Sequence, residues 1–176
     1  MKILSKTAYI GLGSNLGNRL ENLNTVVKLL CDSAGITVDL LSAVYETAPV
    51  GGPKQGAYLN ACAGISTTLG PISLLDKLLA LEKRLKRVRK EHWGPRTIDL
   101  DLLYYEGIRM NTPRLQIPHP RVHERGFVLI PLAEIAPGLI LFPGGPTIAE
   151  MAAPFVSTPD ISFHSYFKTN LPGSLR

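Results

Sequence analysis

Hydrophobic positions along the chain follow two rhythms, one of period two and one close to 3.6 residues. Residues 7–13, TAYIGLG, form an apolar run of strand length, and SNLGN after it predicts a turn. Leu20, Leu23, Val26, Val27 and Leu30 then recur at helical spacing. Asn18 stands where an N-cap belongs, with Glu21 three residues on in the manner of a capping box, and Gly35 predicts the stop. Ile36 to Thr47 reads as β-rich. Residues 48–57, APVGGPKQGA, are mostly Gly and Pro punctuation and predict a loop. YLNACAGIST returns as a strand. Gly70-Pro71 opens a second helix, with Leu74, Leu75, Leu78, Leu81 and Leu85 as its stripe. WGPRTIDLDLLYY, residues 93–105, reads as another strand, and residues 113–125 as a loop bearing proline and histidine. GFVLIPLAEIA predicts a short helical piece, broken or bent at Pro131.

This order predicts an α+β fold with a ferredoxin-like β-α-β-β-α-β core. An antiparallel sheet is backed by helices and followed by extra C-terminal loops and short helices. There is no internal repeat and no linker that would divide domains. One domain is expected over residues 1–157. Residues 158–176 lose periodicity and read as a weakly ordered tail.

One feature breaks the pattern. Asp99 and Asp101 sit inside the apolar run. Strand alternation predicts Ile98, Leu100, Leu102 and Tyr104 on one face, and Thr97, Asp99, Asp101 and Leu103 on the other. The two carboxylates then stand about 7 Å apart at their Cα atoms. Hard oxygen ligands at that spacing suit two Mg²⁺ ions held jointly by carboxylates, phosphate oxygens and water. Taken alone, two acids on a strand describe a solvated sheet face. The preceding run changes the balance: Lys83, Arg84, Lys86, Arg87, Arg89, Lys90 and Arg96 face only Glu82 and Glu91 in that stretch. Cations beside metal-type acids are what a metal-bound polyphosphate requires.

Composition narrows the classes. At 176 residues, 45% hydrophobic and 19% charged, the chain has the balance of a folded soluble domain. Its net charge of +5 suits an anionic ligand without choosing one. Cys31 and Cys62 form no CxxC pair, so they predict neither a zinc site nor a disulfide framework. The short N-terminal apolar run ends at Ser14 and Asn15, and no stretch reaches membrane-span length, so a cytoplasmic protein is expected. GLGSNLG is a poor match to a dinucleotide-binding turn and reads as a tight strand-to-helix connection. A Walker A motif is absent. A nucleic-acid-binding module is the rival class, since basic residues and a ferredoxin-like order fit it. Against it, the strands lack paired aromatics, and mid-strand acids repel phosphate in the absence of metal.

HWGPRTIDLDLL resembles the signature of the 6-hydroxymethyl-7,8-dihydropterin pyrophosphokinase family, with His92, Gly94, Pro95, Arg96, Asp99, Leu100, Asp101, Leu102 and Leu103 filling it. GLGSNLG, YETAPVG, YLNA, RVRKEHW, IPHPRVHERGF and EIAP follow in family order, over roughly residues 7 to 143. The resemblance implies transfer of pyrophosphate from ATP to a reduced pterin, with release of AMP. Asp99 and Asp101 would ligate two Mg²⁺ ions and, with Arg87 and Arg96, form the catalytic set. Glu82, Arg87, Arg96, Leu102, Arg114, His119 and Arg125 would fall on the ATP side. Thr47, Val50, Tyr58, Asn60, Trp93 and Phe127 would meet the pterin. Phe127 and Trp93 offer stacking faces, and Asn60 both a donor and an acceptor. The partners implied are ATP and 6-hydroxymethyl-7,8-dihydropterin, with no nucleic acid and no membrane; a monomer is expected, with an oligomer left open. Residues 48–57 and 86–96 are expected to close over the bound ligands.

Overall fold

A computed structural model describes residues 4–49, 56–85 and 97–168. Two α/β units surround a strand pair in the expected order. β1 (Lys6–Ser14) leads into α1 (Arg19–Cys31), then β2 (Ile36–Leu41), β3 (Val44–Thr47) and β4 (Tyr58–Thr67). α2 (Pro71–Arg84) and β5 (Asp99–Tyr105) complete the core. Beyond it lie β6 (Met110–Asn111), β7 (Gln116–Ile117), α3 (Gly126–Ile135), α4 (Ile148–Ala152) and β8 (Ile161–Ser165).

The helix boundaries have local causes. The Asn18 side chain accepts from the Glu21 N–H at 3.2 Å, which satisfies one of the orphan donors of α1. Pro71 occupies the first turn of α2, where its missing N–H costs nothing. Thr147 and Glu150 form a reciprocal capping box on α4. α3 runs through Pro131, which lies inside the helix and does not end it.

The main sheet is antiparallel, in the order β5-β1-β4-β3-β8, with β2 also on β4. β2 and β3 act as one strand interrupted at Ser42 and Ala43. There the Ser42 Oγ donates to the Ala43 carbonyl and accepts the Cys62 N–H, which turns the chain off the ladder. This is the ferredoxin-like arrangement. In its two central strands, Ala8, Ile10 and Leu12 of β1 and Leu59, Ala61, Ala63 and Ile65 of β4 alternate toward α1 and α2. On the opposite face Cys62 and Leu103 pack under Val128, Leu129 and Leu132 of α3 and Ile148 of α4. Helices therefore cover both faces, and the C-terminal ones sit on the side carrying the two aspartates.

Two expectations are corrected. Tyr104 does not share a face with Ile98, Leu100 and Leu102. The β1–β5 register shifts between Tyr9 and Ile10, so Leu103 and Tyr104 both join the α3-side cluster and Tyr105 returns to the α2 side. A bulge of this kind flips the phase of everything after it. The second concerns residues 158–168, the described part of the expected tail. It contributes β8, which pairs with β3 from Val44↔Ser165 to Thr47↔Ile161, and Phe167 is buried in the main core. Edge pairing of this kind depends on a partner remote in sequence, so periodicity within the segment does not announce it.

Candidate active site

Strand pairing sets a row of side chains on the α3 face. Across the sheet, Asp99 of β5 lies opposite Gly13 of β1, Gly13 opposite Asn60 of β4, and Asn60 opposite Tyr45 of β3. One step along, Asp101 lies opposite Gly11 and Gly11 opposite Cys62. Directly opposed residues share a face. The acids and the Asn60 carboxamide thus look into one space from strands two spacings apart, about 10 Å.

Each end of the row is braced. At the acid end, Arg125 donates to the Asp101 Oδ2 at 3.4 Å, and its guanidinium lies 5.7 Å from the Phe127 ring centroid. The bulge at Leu103 matters here. The Leu103 carbonyl accepts the His119 N–H at 2.9 Å, which brings the loop carrying His119 to the acids. The His119 Nδ1 accepts the Arg121 N–H at 3.2 Å, so the neutral ring carries its proton on Nε2 and presents a donor. Burial, reinforced by Arg125 and Arg121 and opposed by Asp99, pushes the His119 pKa down to about 4. The ring is neutral at physiological pH.

That shift has a consequence for stability. An unfolded histidine takes a proton near 6.5, and the folded one holds out to about 4. Its contribution is present above the unfolded value and is lost as pH falls through this window. The stability advantage of the wild-type chain over His119→Gln is therefore expected to shrink as the pH is lowered from 7 to 4. Denaturant melts of the unliganded proteins across that range check it; a difference independent of pH contradicts it.

At the other end, the Asn60 Nδ2 donates to the Thr47 Oγ1 at 2.6 Å, and both residues are buried. This bond fixes which side of the carboxamide is the acceptor. Tyr58 lies two residues before Asn60, on the same face. Thr47, Tyr58, Asn60, Asp99, Asp101, His119, Arg125 and Phe127 are thus gathered on one side of the sheet. Glu82, Leu102 and Arg114 stand on the α2 side of β5 instead. Glu82, 3% exposed, accepts the Leu100 N–H at 2.8 Å. The Leu102 side chain is buried in the α1–α2 core, and Arg114 pairs with Asp76 at the surface of α2. Arg87, Arg96, Trp93 and Val50, with most of both expected closing segments, lie outside the described residues.

The chemistry of the donors fits a divalent cation. Two carboxylates at alternate positions of one strand supply hard oxygens and leave most of an octahedral shell to phosphate and water. Among the described residues no cluster of three or more His, Cys, Asp or Glu side chains could hold a metal unaided.

The strand-to-helix connection SNLGN does more than turn the chain. The buried Ser14 Oγ donates to the Thr97 carbonyl at 2.6 Å, at the entrance to β5. The Asn15 Nδ2 donates to the Gly56 carbonyl at 3.3 Å and the Arg19 guanidinium to the Ala57 carbonyl at 2.8 Å, at the entrance to β4. Arg19 also pairs with Glu46 at 2.7 Å. As a sequence the motif predicts only a packing turn. Its one signal was a cluster of polar side chains, buried in the structure, directly after an apolar strand.

A sequence model described as 7,8-dihydro-6-hydroxymethylpterin-pyrophosphokinase (HPPK) matches residues 9–137. A 2-amino-4-hydroxy-6-hydroxymethyldihydropteridine pyrophosphokinase of Methylorubrum extorquens is 48% identical over 146 residues, covering 83% of this chain and 91% of that protein. The Bacillus subtilis protein of the same name is 46% identical over 132 residues, covering 75% and 79%. Among solved structures, wild-type Plasmodium falciparum HPPK-DHPS with pteroate superposes with a TM-score of 0.71 at 14% identity, over 90% of this chain and 48% of that one. At that identity the likeness concerns the fold, and this chain spans about half of that longer protein.

Proposed function

The chain belongs to the 7,8-dihydro-6-hydroxymethylpterin-pyrophosphokinase family, and from that premise we propose that Asp99 and Asp101 hold the ATP end of the reaction while Thr47, Tyr58, Asn60 and Phe127 hold the pterin. The protein is an ATP-dependent diphosphokinase of folate biosynthesis. The acceptor's hydroxymethyl oxygen bonds to the β-phosphorus of ATP. The bond from that phosphorus to the α-bridging oxygen breaks, AMP leaves with the bridging oxygen, and the hydroxyl proton is released.

The observation that carries the assignment of sides is the row Asp99–Gly13–Asn60. A metal-type acid pair and a fixed carboxamide face one space across a strand that carries no side chain there. Bound Mg²⁺, two ions in this reading, supplies neutralisation of the phosphate oxygens and lowers the pKa of the acceptor hydroxyl. Arg125, which donates to Asp101 at 3.4 Å, lies beside the proposed metal ligands and would offer its remaining guanidinium donors to phosphate. The neutral His119 offers its Nε2–H to a phosphate oxygen. Glu82 fixes β5 from behind through the Leu100 N–H, and Leu102, with its side chain in the core, meets the nucleotide through its backbone. Arg114 is assigned to the ATP side as well, at the price of its pairing with Asp76. Val50 and Trp93 complete the pterin side by family position.

Incubation of the protein with ATP, Mg²⁺ and 6-hydroxymethyl-7,8-dihydropterin tests the reading. Equimolar AMP and pterin diphosphate are expected; release of ADP or inorganic phosphate alone contradicts it. The reading describes a cytoplasmic monomer acting on small molecules. Among the described residues no helix is long and apolar enough to cross a membrane. The nucleic-acid alternative is disfavoured by the acids on the sheet face, which would repel an RNA backbone.

Arg87 and Arg96 are proposed to act on the transferring group. Arg87→Ala and Arg96→Ala are expected to lower kcat by about tenfold or more, with a smaller loss of ATP affinity, because charge on the transferring group changes at the transition state. Single-turnover rates beside equilibrium binding of a non-hydrolysable ATP analogue check this. Weakened binding with an intact single-turnover rate would mean that the arginines only hold the substrate.

A further inference from the structure

Gly13 lies where the two halves of the site meet. A Cβ placed on it would come within 3.0 Å of the Asn60 Oδ1, 3.8 Å of the Asp99 Cβ and 4.0 Å of the Tyr58 ring. These three neighbours come from both sides of the reaction as assigned above. Its backbone is extended, so the missing side chain answers to space and not to an unusual φ. The neighbouring glycine of the same strand differs. A Cβ on Gly11 would meet Leu103 at 3.6 Å and the Asp101 Cβ at 3.8 Å, which are ordinary contact distances.

From this juxtaposition we propose that Gly13 is a specificity-determining residue: its bare Cα forms the floor of the passage through which the acceptor's hydroxymethyl group reaches the phosphate held at Asp99. The proposal rests on the assignment of the acceptor to the Asn60 side. Two features of the passage follow from the ladder. The Asn60 carboxamide cannot swing away from an added methyl without breaking its 2.6 Å bond to Thr47. Asp99 cannot retreat, because β5 is held by β1 on one edge and through Leu100 by Glu82 on the other. A methyl at position 13 is therefore crowded against the Asn60 carboxamide and lies in contact with Asp99 and Tyr58, between the two halves of the site. The acceptor is narrowed to one whose reactive arm is a single unbranched carbon bearing oxygen.

The test compares wild type with Gly13→Ala, after wild-type turnover of ATP and 6-hydroxymethyl-7,8-dihydropterin has been established. Lack of that turnover defeats the assigned function before the variant is made. The variant is expected to raise the acceptor KM about tenfold, the usual penalty for one misplaced methyl in a fitted site. Its affinity for a non-hydrolysable ATP analogue with Mg²⁺ should stay within about twofold. An unchanged acceptor KM overturns the proposal. So does an equal loss for both substrates, which would report displacement of β5. A second measurement needs no variant. In the wild-type complex with acceptor, Mg²⁺ and the ATP analogue, a nuclear Overhauser contact is expected between the Gly13 Hα protons and the acceptor's methylene protons. Its absence in a saturated complex overturns the proposal even if Gly13→Ala fails to fold.

Discussion

Asp99→Ala and Asp101→Ala are each expected to lower kcat by about a thousandfold while leaving the fold intact. Charge neutralisation by a positioned metal contributes several kcal/mol at the transition state, and a few kcal/mol is a factor of that size. Stability has little to lose. Both side chains are partly exposed on the sheet face. The Asp101–Arg125 pair, at 3.4 Å with the aspartate 37% exposed, is of the kind that contributes at most about 1 kcal/mol. Thermal melts should therefore nearly coincide with wild type while turnover collapses. The two variants are also expected to differ. Asp101→Ala releases Arg125, which leaves a cation free to hold ATP without metal, whereas Asp99→Ala keeps the Arg125 pair. Binding of the ATP analogue in the absence of Mg²⁺ should accordingly be stronger in Asp101→Ala. Near-normal turnover of either variant at saturating Mg²⁺ would remove the aspartates from the metal site.

The acids were legible in the sequence because they violate the pattern around them. Two acids inside a strand that is apolar at Leu100, Leu102 and Leu103 stand out, and alternation set both on one face, where the β1–β5 pairing has them. The helices were legible for a related reason: Asn18 and Pro71 act on their own first turns, and a local cause leaves a local trace. What escaped notice depends on partners far away in the chain. The break at Ser42 exists because its hydroxyl meets the Cys62 N–H. The bulge at Leu103 exists only against β1, and it set Tyr104 on the wrong face in the sequence reading. β8 is a strand because β3 offers an edge. Gly13 is the clearest case. Read within GLGSNLG it is a small residue near a turn. Its meaning appears only when β4 and β5 place Asn60 and Asp99 on either side of it.

Glu82, assigned to the ATP side by family position, also holds the strand that carries the acids. Among the described residues β5 ends the sheet, and no strand there lies on its outer edge to receive the Leu100 N–H. The Glu82 Oε1 receives it at 2.8 Å, from the last turn of α2. Glu82→Ala leaves that buried donor without this acceptor and opens a gap where a 3%-exposed side chain was. The expected cost is about 2–3 kcal/mol, or a drop in melting temperature of roughly 5–10 °C for a chain of this length. Activity should fall as well. Leu100 lies between the two aspartates, and a shift of β5 by about 1 Å is enough to cost on the order of a hundredfold in rate. Glu82→Gln separates the two roles. Its amide oxygen can accept the same N–H in nearly the same volume, so stability should stay within about 1 kcal/mol of wild type and most of the activity should return. If Glu82→Gln instead keeps its stability but loses ATP affinity, the carboxylate touches the nucleotide directly and its hold on β5 is secondary.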